Sequence, residues 1–306
     1  MDDKRKSYSI HELIGNTPLL KLKNSFKRKG VNIYAKLEMF NPSGSLKDRI
    51  VKYIIEDGEK SGELTKEKTI VDASSGNTGI AMAMISRAMG YKCRVYMPEN
   101  KSLERRIIMR MYGAELILTS GDNPHSHIEA CEELMEKDGG KNFFYLNQNG
   151  NMGNVYAHYH GTGSEIVRDM EDEKVDYFVA GLGTGGMLMG AGKKIFETNN
   201  DAKIVAVEPD KGISKIEGLL HLDGSYIPPI WSEDIISSHV LVSDEDAIKY
   251  TKLLAEKEGI FAGISSGANY YVALKLAEEI EEGNIVFICA DRGERYLSTS
   301  LCEGMA

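Results

Sequence analysis

Four polar, glycine-bearing turns hold the residues that could do chemistry: NPSGSLKDR (41–49), SSGNTG (74–79), GLGTGG (181–186) and ADRGER (290–295). Each sits where an apolar run ends, and in an open α/β fold chemistry gathers at the carboxyl ends of strands. One glycine turn alone is punctuation; four at comparable positions point to a ligand. In SSGNTG, Gly76 and Gly79 let backbone approach a ligand closely, Ser74, Ser75 and Thr78 supply hydroxyls, and Asn77 supplies an amide. The helix pattern that follows directs free N–H groups and its positive dipole end into the same space, a receptor for a carboxylate or phosphate. An N-cap by Ser75 or Thr78 needs one such residue, not four in five positions.

GLGTGG is a second anion cradle by the same logic. Gly181, Gly183 and Gly186 fit G-x-G-x-x-G, and Glu208 follows at the end of KIVAVE, as a dinucleotide-binding fold requires. An NAD-dependent dehydrogenase and a holder of some other phosphate are both open on this pattern. The dehydrogenase leaves turns 41–49 and 74–79 unexplained and lacks a coherent hydride site. Lys47 stands two residues after Ser45, where the helix pattern DRIVKYIIEDG begins. A positive charge is disfavoured near a helix N-terminus. That lowers the amine's pKa and suits Schiff-base chemistry. Spacing alone does not separate Lys47 from a solvated surface lysine.

The elements that must position these turns alternate. VNIYAKLE (31–38), TIVDAS (69–74), CRVYMP (93–98), ELILTS (115–120), FFYLNQ (143–148), DYFVAGLG (176–183), KIVAVE (203–208) and NIVFICA (284–290) read as strands. Helix patterns lie between them, among them LERRIIMRMYGA, with Ser102 as its cap and Gly113 as its stop. Strands alternating with helices imply an α/β fold of parallel sheets covered on both faces. Two clusters, 50–147 and the rest, imply two lobes. The segment 219–231 breaks the alternation with Gly224, Pro228 and Pro229 and reads as a flap; Trp231 within it packs an interface or lines a pocket. His158 and His160 project together if VYAHYHGTG is a strand, but no third ligand stands near, which argues against a metal. Met82, Met84 and Met89 are core positions of a helix.

Composition excludes other classes. The 306 residues carry a net charge of −9, which argues against a general nucleic-acid or membrane-surface binder. Cys93, Cys131, Cys289 and Cys302 form no C-x-x-C, as in a reduced protein with free thiols. The opening MDDKRKSYSI lacks an apolar signal region, and no apolar run approaches a membrane span, so the expected address is the cytoplasm.

A resemblance adds what spacing does not. IGNTPLLKL (14–22), KLEMFNPSGSLKDR (36–49), SSGNTGIAMA (74–83), MPENKSLERR (97–106), GAELILT (113–119), GLGTGGMLMG (181–190), AVEP (206–209), GISSGA (263–268) and GERYLST (293–299) occur in order. On these the chain resembles the cysteine synthase and cystathionine β-synthase family of fold-type II pyridoxal-phosphate enzymes, over essentially its whole length. ADRGERYLST and the short C-terminus look closest to the B-type cysteine synthases, and the absence of an extra domain is unlike the long, regulated cystathionine β-synthases.

The resemblance implies pyridoxal 5′-phosphate as cofactor, with Lys47 as its Schiff-base lysine and later general base. Asn77 would bond the phenolic oxygen, and Gly183, Thr184, Gly185 and Gly186 would cradle the phosphate. Ser74, Ser75, Thr78 and Gln148 would bind the substrate α-carboxylate. Loss of the α-proton and the β-substituent would leave an aminoacrylate, to which sulfide or another nucleophile adds. Residues 50–147 would be the smaller, mobile substrate lobe and 1–49 plus 148–306 the larger cofactor lobe. A homodimer is the usual assembly of such relatives.

Departures bear on the substrate. Met187 replaces the usual threonine after the phosphate loop, so one hydroxyl contact is missing. Ser74 replaces a threonine but keeps the hydroxyl. NGNMGN follows Gln148 where relatives read Asn-Pro-Ala-Asn after a phenylalanine. Ala290 and Asp291 stand where relatives place a serine or cysteine beside the pyridine nitrogen; if Ala290 faces the ring the nitrogen has no side-chain partner, and if Asp291 does it would protonate the ring and strengthen the electron sink. The stretch 218–228 is longer than in ordinary cysteine synthases and carries His221 and Asp223, a polar pair suited to activating water or a thiol. The reaction would make cysteine from an activated serine and sulfide. Alternatively it would consume cysteine, releasing sulfide and adding water or a second thiol to give serine, lanthionine or cystathionine.

Overall fold

The structure is a computed structural model that describes residues 6–304 except 75, 124, 172 and 223–225. Ser75 and Asp223 lie outside the described residues.

The described chain runs β1 (Leu19–Lys21), β2 (Val31–Leu37), α1 (Lys47–Ser61), β3 (Thr69–Ala73), α2 (Asn77–Ala88), β4 (Lys92–Pro98), α3 (Leu103–Met111), β5 (Glu115–Thr119), α4 (Ser126–Asp138) and β6 (Phe143–Tyr145). It continues through α5 (Gly153–Ala157), α6 (Ser164–Asp169), β7 (Tyr177–Gly181), α7 (Lys193–Thr198), β8 (Lys203–Pro209), β9 (Ser238–Val242), α8 (Asp244–Glu258), α9 (Ile264–Glu279) and β10 (Gly283–Cys289). Contacts divide it into two units: Asn41–Gly153 with the described residues up to Ile14, and Gly15–Phe40 with the chain from Asn154 onward.

The first unit holds a four-stranded sheet in the order β5-β4-β3-β6, parallel throughout. Successive β3 residues face opposite ways. Ile70 joins a core with Ile50, Val51, Ile54 and Ile55 of α1 and Ile80 and Met82 of α2. Val71 and Ala73 pack on the other face with Cys131 of α4. Helices therefore cover both faces, as continuous apolar strands require. Because α1 starts at Lys47 and buries its apolar face here, residues 41–49 group with this unit, and so do 148–153. The sequence division at 50 and 147 places both stretches in the other lobe.

The second unit holds a six-stranded sheet in the order β1-β2-β10-β7-β8-β9. Only β1, at one edge, runs antiparallel to its neighbour. Neither β1 nor β9 is legible as a strand from the sequence; each is a short edge strand. Val205 and Phe287 pack with Ala268, Tyr270 and Ala273 of α9 on one face. On the other, Gly192 lets its helix approach Ile204 and Phe178.

VYAHYHGTG is helical, not a strand: α5 continues through a π-helical stretch, His158–Gly163, into α6. Five residues of alternating character are too few to separate the two periods. Tertiary packing decides, because a Cβ on Gly163 would lie 2.8 Å from Ala191 Cα, and one on Gly190 2.2 Å from Val155 O. Two helices thus touch through glycines. His158 is buried, with Nδ1 3.0 Å from Thr162 Oγ1. Ser102 precedes α3 as expected, but its hydroxyl makes no capping bond.

Lys36, within β2, is fully buried. Its Nζ donates to Thr17 O at 2.7 Å and pairs with Glu165 at 3.0 Å and Asp169 at 3.2 Å. Removing one member of a buried ion cluster strands the others. Lys36→Met is expected to cost about 3–5 kcal/mol of unfolding free energy, read by urea denaturation; a loss under about 1 kcal/mol would show that the carboxylates find other partners.

Candidate active site

Lys47 is the first residue of α1, and the turn before it is stapled at several points. Gly44, at φ +90°, donates its N–H to Asn41 O at 2.7 Å. Buried Asp48 accepts from Ser43 N at 2.6 Å and from the Ser43 hydroxyl. Ser45 Oγ accepts from Lys47 N at 3.3 Å. The lysine stem thus leaves a rigid corner.

The 74–79 turn of the same unit is built from side-chain oxygens. Ser74 Oγ accepts from Gly79 N at 2.9 Å and Gly76 N at 3.3 Å, so it shapes the turn. Asn77 opens α2. Gly79 lets α2 close on α3, since a Cβ there would meet Met109 Cε at 2.7 Å. Thr78 Oγ1 donates to Gln148 Oε1 at 2.5 Å, and Gln148 Nε2 donates to Ala73 O at 3.2 Å. Two positions 70 residues apart, both singled out from sequence, meet here.

Asp72 is the residue that the sequence reading missed. It sits one strand position before this turn, buried, and accepts from Ala73 N at 2.8 Å and Gln148 N at 3.2 Å. Burial pushes its carboxyl up to about 7 against the lowering effect of those hydrogen bonds. A carboxylate inside the apolar run TIVDAS is the sequence signal that could have found it. Arg105 of α3 is a second such residue: it is buried, and its guanidinium is 3.7 Å from where a Gly76 Cβ would be.

In the second unit the 181–187 turn is built from glycines pressed on protein. A Cβ would lie 2.4 Å from Leu219 Cδ2 at Gly181, 2.4 Å from Gly218 O at Gly183, and 1.9 Å from Asn154 Oδ1 at Gly186. Gly185 has φ +89°, a conformation that favours glycine. Asn154 Nδ2 donates to Thr184 Oγ1 at 2.8 Å, leaving the threonine proton to point elsewhere. The helix that follows closes its first bond from Met189 N to Gly185 O at 2.9 Å. The N–H groups of residues 186–188 precede that bond and have no acceptor inside the helix. Such a cradle fits a phosphate monoester. Met187 is buried and brings no hydroxyl.

Two further residues singled out from the sequence lie in this unit. Asp291 is buried; its Oδ2 accepts from Tyr296 Oη at 2.8 Å, and its Oδ1 lies against Gly263. Glu208 is 2% exposed, held by Leu222 N at 2.7 Å and His239 Nδ1 at 2.5 Å. It is committed to protein groups and cannot read a ribose, so the dinucleotide pattern is coincidental. Among the described residues no group of three or more His, Cys, Asp or Glu side chains could hold a metal ion, and no helix is long and apolar enough to cross a membrane.

Lys47 heads a helix of the first unit, a glycine turn heads a helix of the second, and each unit is built on a mainly parallel sheet. The pyridoxal-phosphate dependent enzyme family matches residues 10–291, and the chain belongs to it. A cysteine synthase of Staphylococcus aureus (strain Mu50 / ATCC 700699) is 39% identical over 304 residues, 96% of each chain. The crystal structure of O-ureido-L-serine synthase superposes with a TM-score of 0.93 at 35% identity, covering 98% of this chain and 96% of that one. A hydrogen sulfide-producing enzyme from Fusobacterium nucleatum gives 0.89 at 40% identity, covering 95% and 98%. The chain is thus a pyridoxal-phosphate enzyme of the cysteine synthase type, and the dehydrogenase alternative falls.

The raised Asp72 carboxyl has a stability signature. Its folded value lies above its ordinary 3.8, so the folded state binds the proton more tightly. Stability then falls as pH rises from about 4 to about 7 and levels off above. Asp72→Asn is expected to gain on the wild type across that window, in urea midpoints at pH 4.5, 6 and 8. A constant difference between the two proteins would remove the assignment.

Proposed function

We propose that this enzyme exchanges the β-substituent of a small amino acid, cysteine or an activated serine, with sulfide or a thiol as the incoming or departing group. The observation that carries the proposal is the cradle at 183–187: its glycines are compelled by packing, and its N–H groups lack helical acceptors. It suits the single phosphate of pyridoxal phosphate.

Bound there, the cofactor supplies an electron sink that makes the α-proton of an amino acid removable and its β-substituent expellable. The chain's own residues do the rest. Lys47 Nζ carries the cofactor and then moves the α-proton. The N–H groups of Gly183, Gly185, Gly186 and Met187, with the Thr184 hydroxyl oriented by Asn154, hold the phosphate. Asn77 orients the cofactor ring through its phenolic oxygen. Ser74, Thr78 and Gln148 receive the substrate carboxylate, backed by the start of α2 and by Asp72, which sets the Gln148 backbone. Ser75 belongs with this group by resemblance, and Asp223 with the β-substituent pocket. Asp291 belongs with the cofactor set by resemblance alone, from its sequence position next to where relatives carry the residue beside the pyridine nitrogen. Carboxylate binding would close a smaller, mobile substrate lobe and exclude water. The cytoplasm suits the three buried free thiols, Cys93, Cys131 and Cys289, and a homodimer is the assembly carried over from the family resemblance.

Two measurements check this. The purified protein is expected to show the visible absorption band of lysine-bound cofactor, and Lys47→Ala is expected to lose that band together with α-proton exchange of bound amino acid. A variant that keeps the exchange would remove Lys47 from its role. Sulfide uptake with O-acetylserine, compared with sulfide release from cysteine alone, sets the direction. Turnover confined to the first arm makes this a cysteine producer; turnover in the second makes it a cysteine consumer, with serine or lanthionine as the product to assay, and cystathionine where homocysteine is added as the second thiol. Absence of both would sink the proposal.

A further inference from the structure

A polar chain behind the phosphate loop takes no part in the chemistry above. Glu208, on β8, accepts from Leu222 N with one oxygen and faces His239 Nδ1 with the other. His239, on β9, turns its Nε2 to Glu233 Oε2 at 2.9 Å. The other oxygen of Glu233 accepts from the indole Nε1 of Trp231 at 2.9 Å. Trp231 is the chain's single tryptophan. Its ring stands edge-on to His239 with centroids 6.1 Å apart, and its Cε3 is 3.1 Å from where a Gly185 Cβ would be.

These bonds tie two anchor points together. At one end of the flap, Leu220 N donates to Leu182 O at 2.7 Å and Gly218 O lies under Gly183. At the other, Trp231 lies on Gly185 and Ser232 N donates to Met189 Sδ at 3.3 Å. The first end seats on the entry to the phosphate loop and the second on its exit. The path Leu222–Glu208–His239–Glu233–Trp231 joins them.

We propose that doubly protonated His239 is a positioning residue for the cofactor's phosphate: bridging Glu208 and Glu233, it holds Trp231 on Gly185 and so keeps the 183–187 loop in its binding shape. The proposal rests on the reading of that loop as the phosphate site. An imidazole with a carboxylate on each ring nitrogen donates from both, which only the imidazolium can do. The neutral ring sets a lone pair against one carboxylate, and one of the two ties is lost. The charged groups facing the ring are Glu208 from β8 and Glu233 from the flap, with His221 3.6 Å from the far oxygen of Glu208. Burial disfavours the charged ring, but the bonds to Glu208 and Glu233 outweigh it and raise the pKa above its ordinary value. The clamp is therefore complete in acid and is lost as pH rises through that raised value.

The test uses the full-length holoenzyme and two readouts besides activity: Trp231 emission, and cofactor release followed as loss of the visible band after gel filtration. In the wild type, Trp231 emission is expected to titrate with a midpoint above 6.5, and cofactor release to quicken over the same range. His239→Gln should abolish that titration and, at pH 6, release cofactor roughly tenfold faster, the size of one charge-assisted hydrogen bond. At pH 9 the two proteins should converge. His221→Asn should leave the Trp231 titration in place. Emission without a titration in this range, or release from His239→Gln at the wild-type rate, overturns the clamp while leaving the phosphate site standing. A wild type with no visible band at all removes the phosphate reading and the clamp with it. If His239→Gln does not fold, the wild-type profile alone decides, because release that fails to follow the Trp231 titration also overturns the proposal.

Discussion

The first N–H groups of a helix have no acceptor inside it, and they must find one in solvent, in a side chain or in a ligand. This chain sets two such helix starts directly behind parallel strands, where α2 follows β3 and where the helix after Gly186 follows β7. Parallel sheets sheathed in helices deliver that arrangement as a matter of topology. What remains is to keep each turn open to an anion without letting it collapse onto its own N–H groups.

The two units meet that need with different materials. In the first, side-chain oxygens do the work: Ser74 accepts from the turn's backbone, Asp72 holds Gln148, and Gln148 holds Thr78. Polar atoms fix the shape, and burial raises the pKa of the Asp72 carboxyl. In the second, steric contact fixes it. Gly183 rests on Gly218 O and Gly186 on Asn154, so no side chain fits beneath the loop.

Much of this was legible in the residues. The alternation of apolar runs with helix patterns specified parallel sheets, and clusters of hydroxyls and glycines marked the turns at 74–79 and 181–186. Lys47 was singled out only through resemblance, because a lysine near a helix start is common. Edge strands β1 and β9 were not legible: three and five residues give little periodicity, and pairing with β2 and β8 makes them strands. The helix through His158 was misread because its register is decided by glycine contacts with another helix.

By itself, then, the sequence determined the class: a parallel α/β chain with glycine- and hydroxyl-rich turns at its strand ends. Local residue types suffice for that, since periodicity and turn chemistry act over a few positions. Tertiary structure decided which residues are partners. Glu208 has the spacing of a ribose-binding carboxylate, yet it is bound by His239, 31 positions away, and by Leu222. A buried carboxylate must be satisfied by whatever donors the fold brings to it, and those donors are not written beside it in the chain.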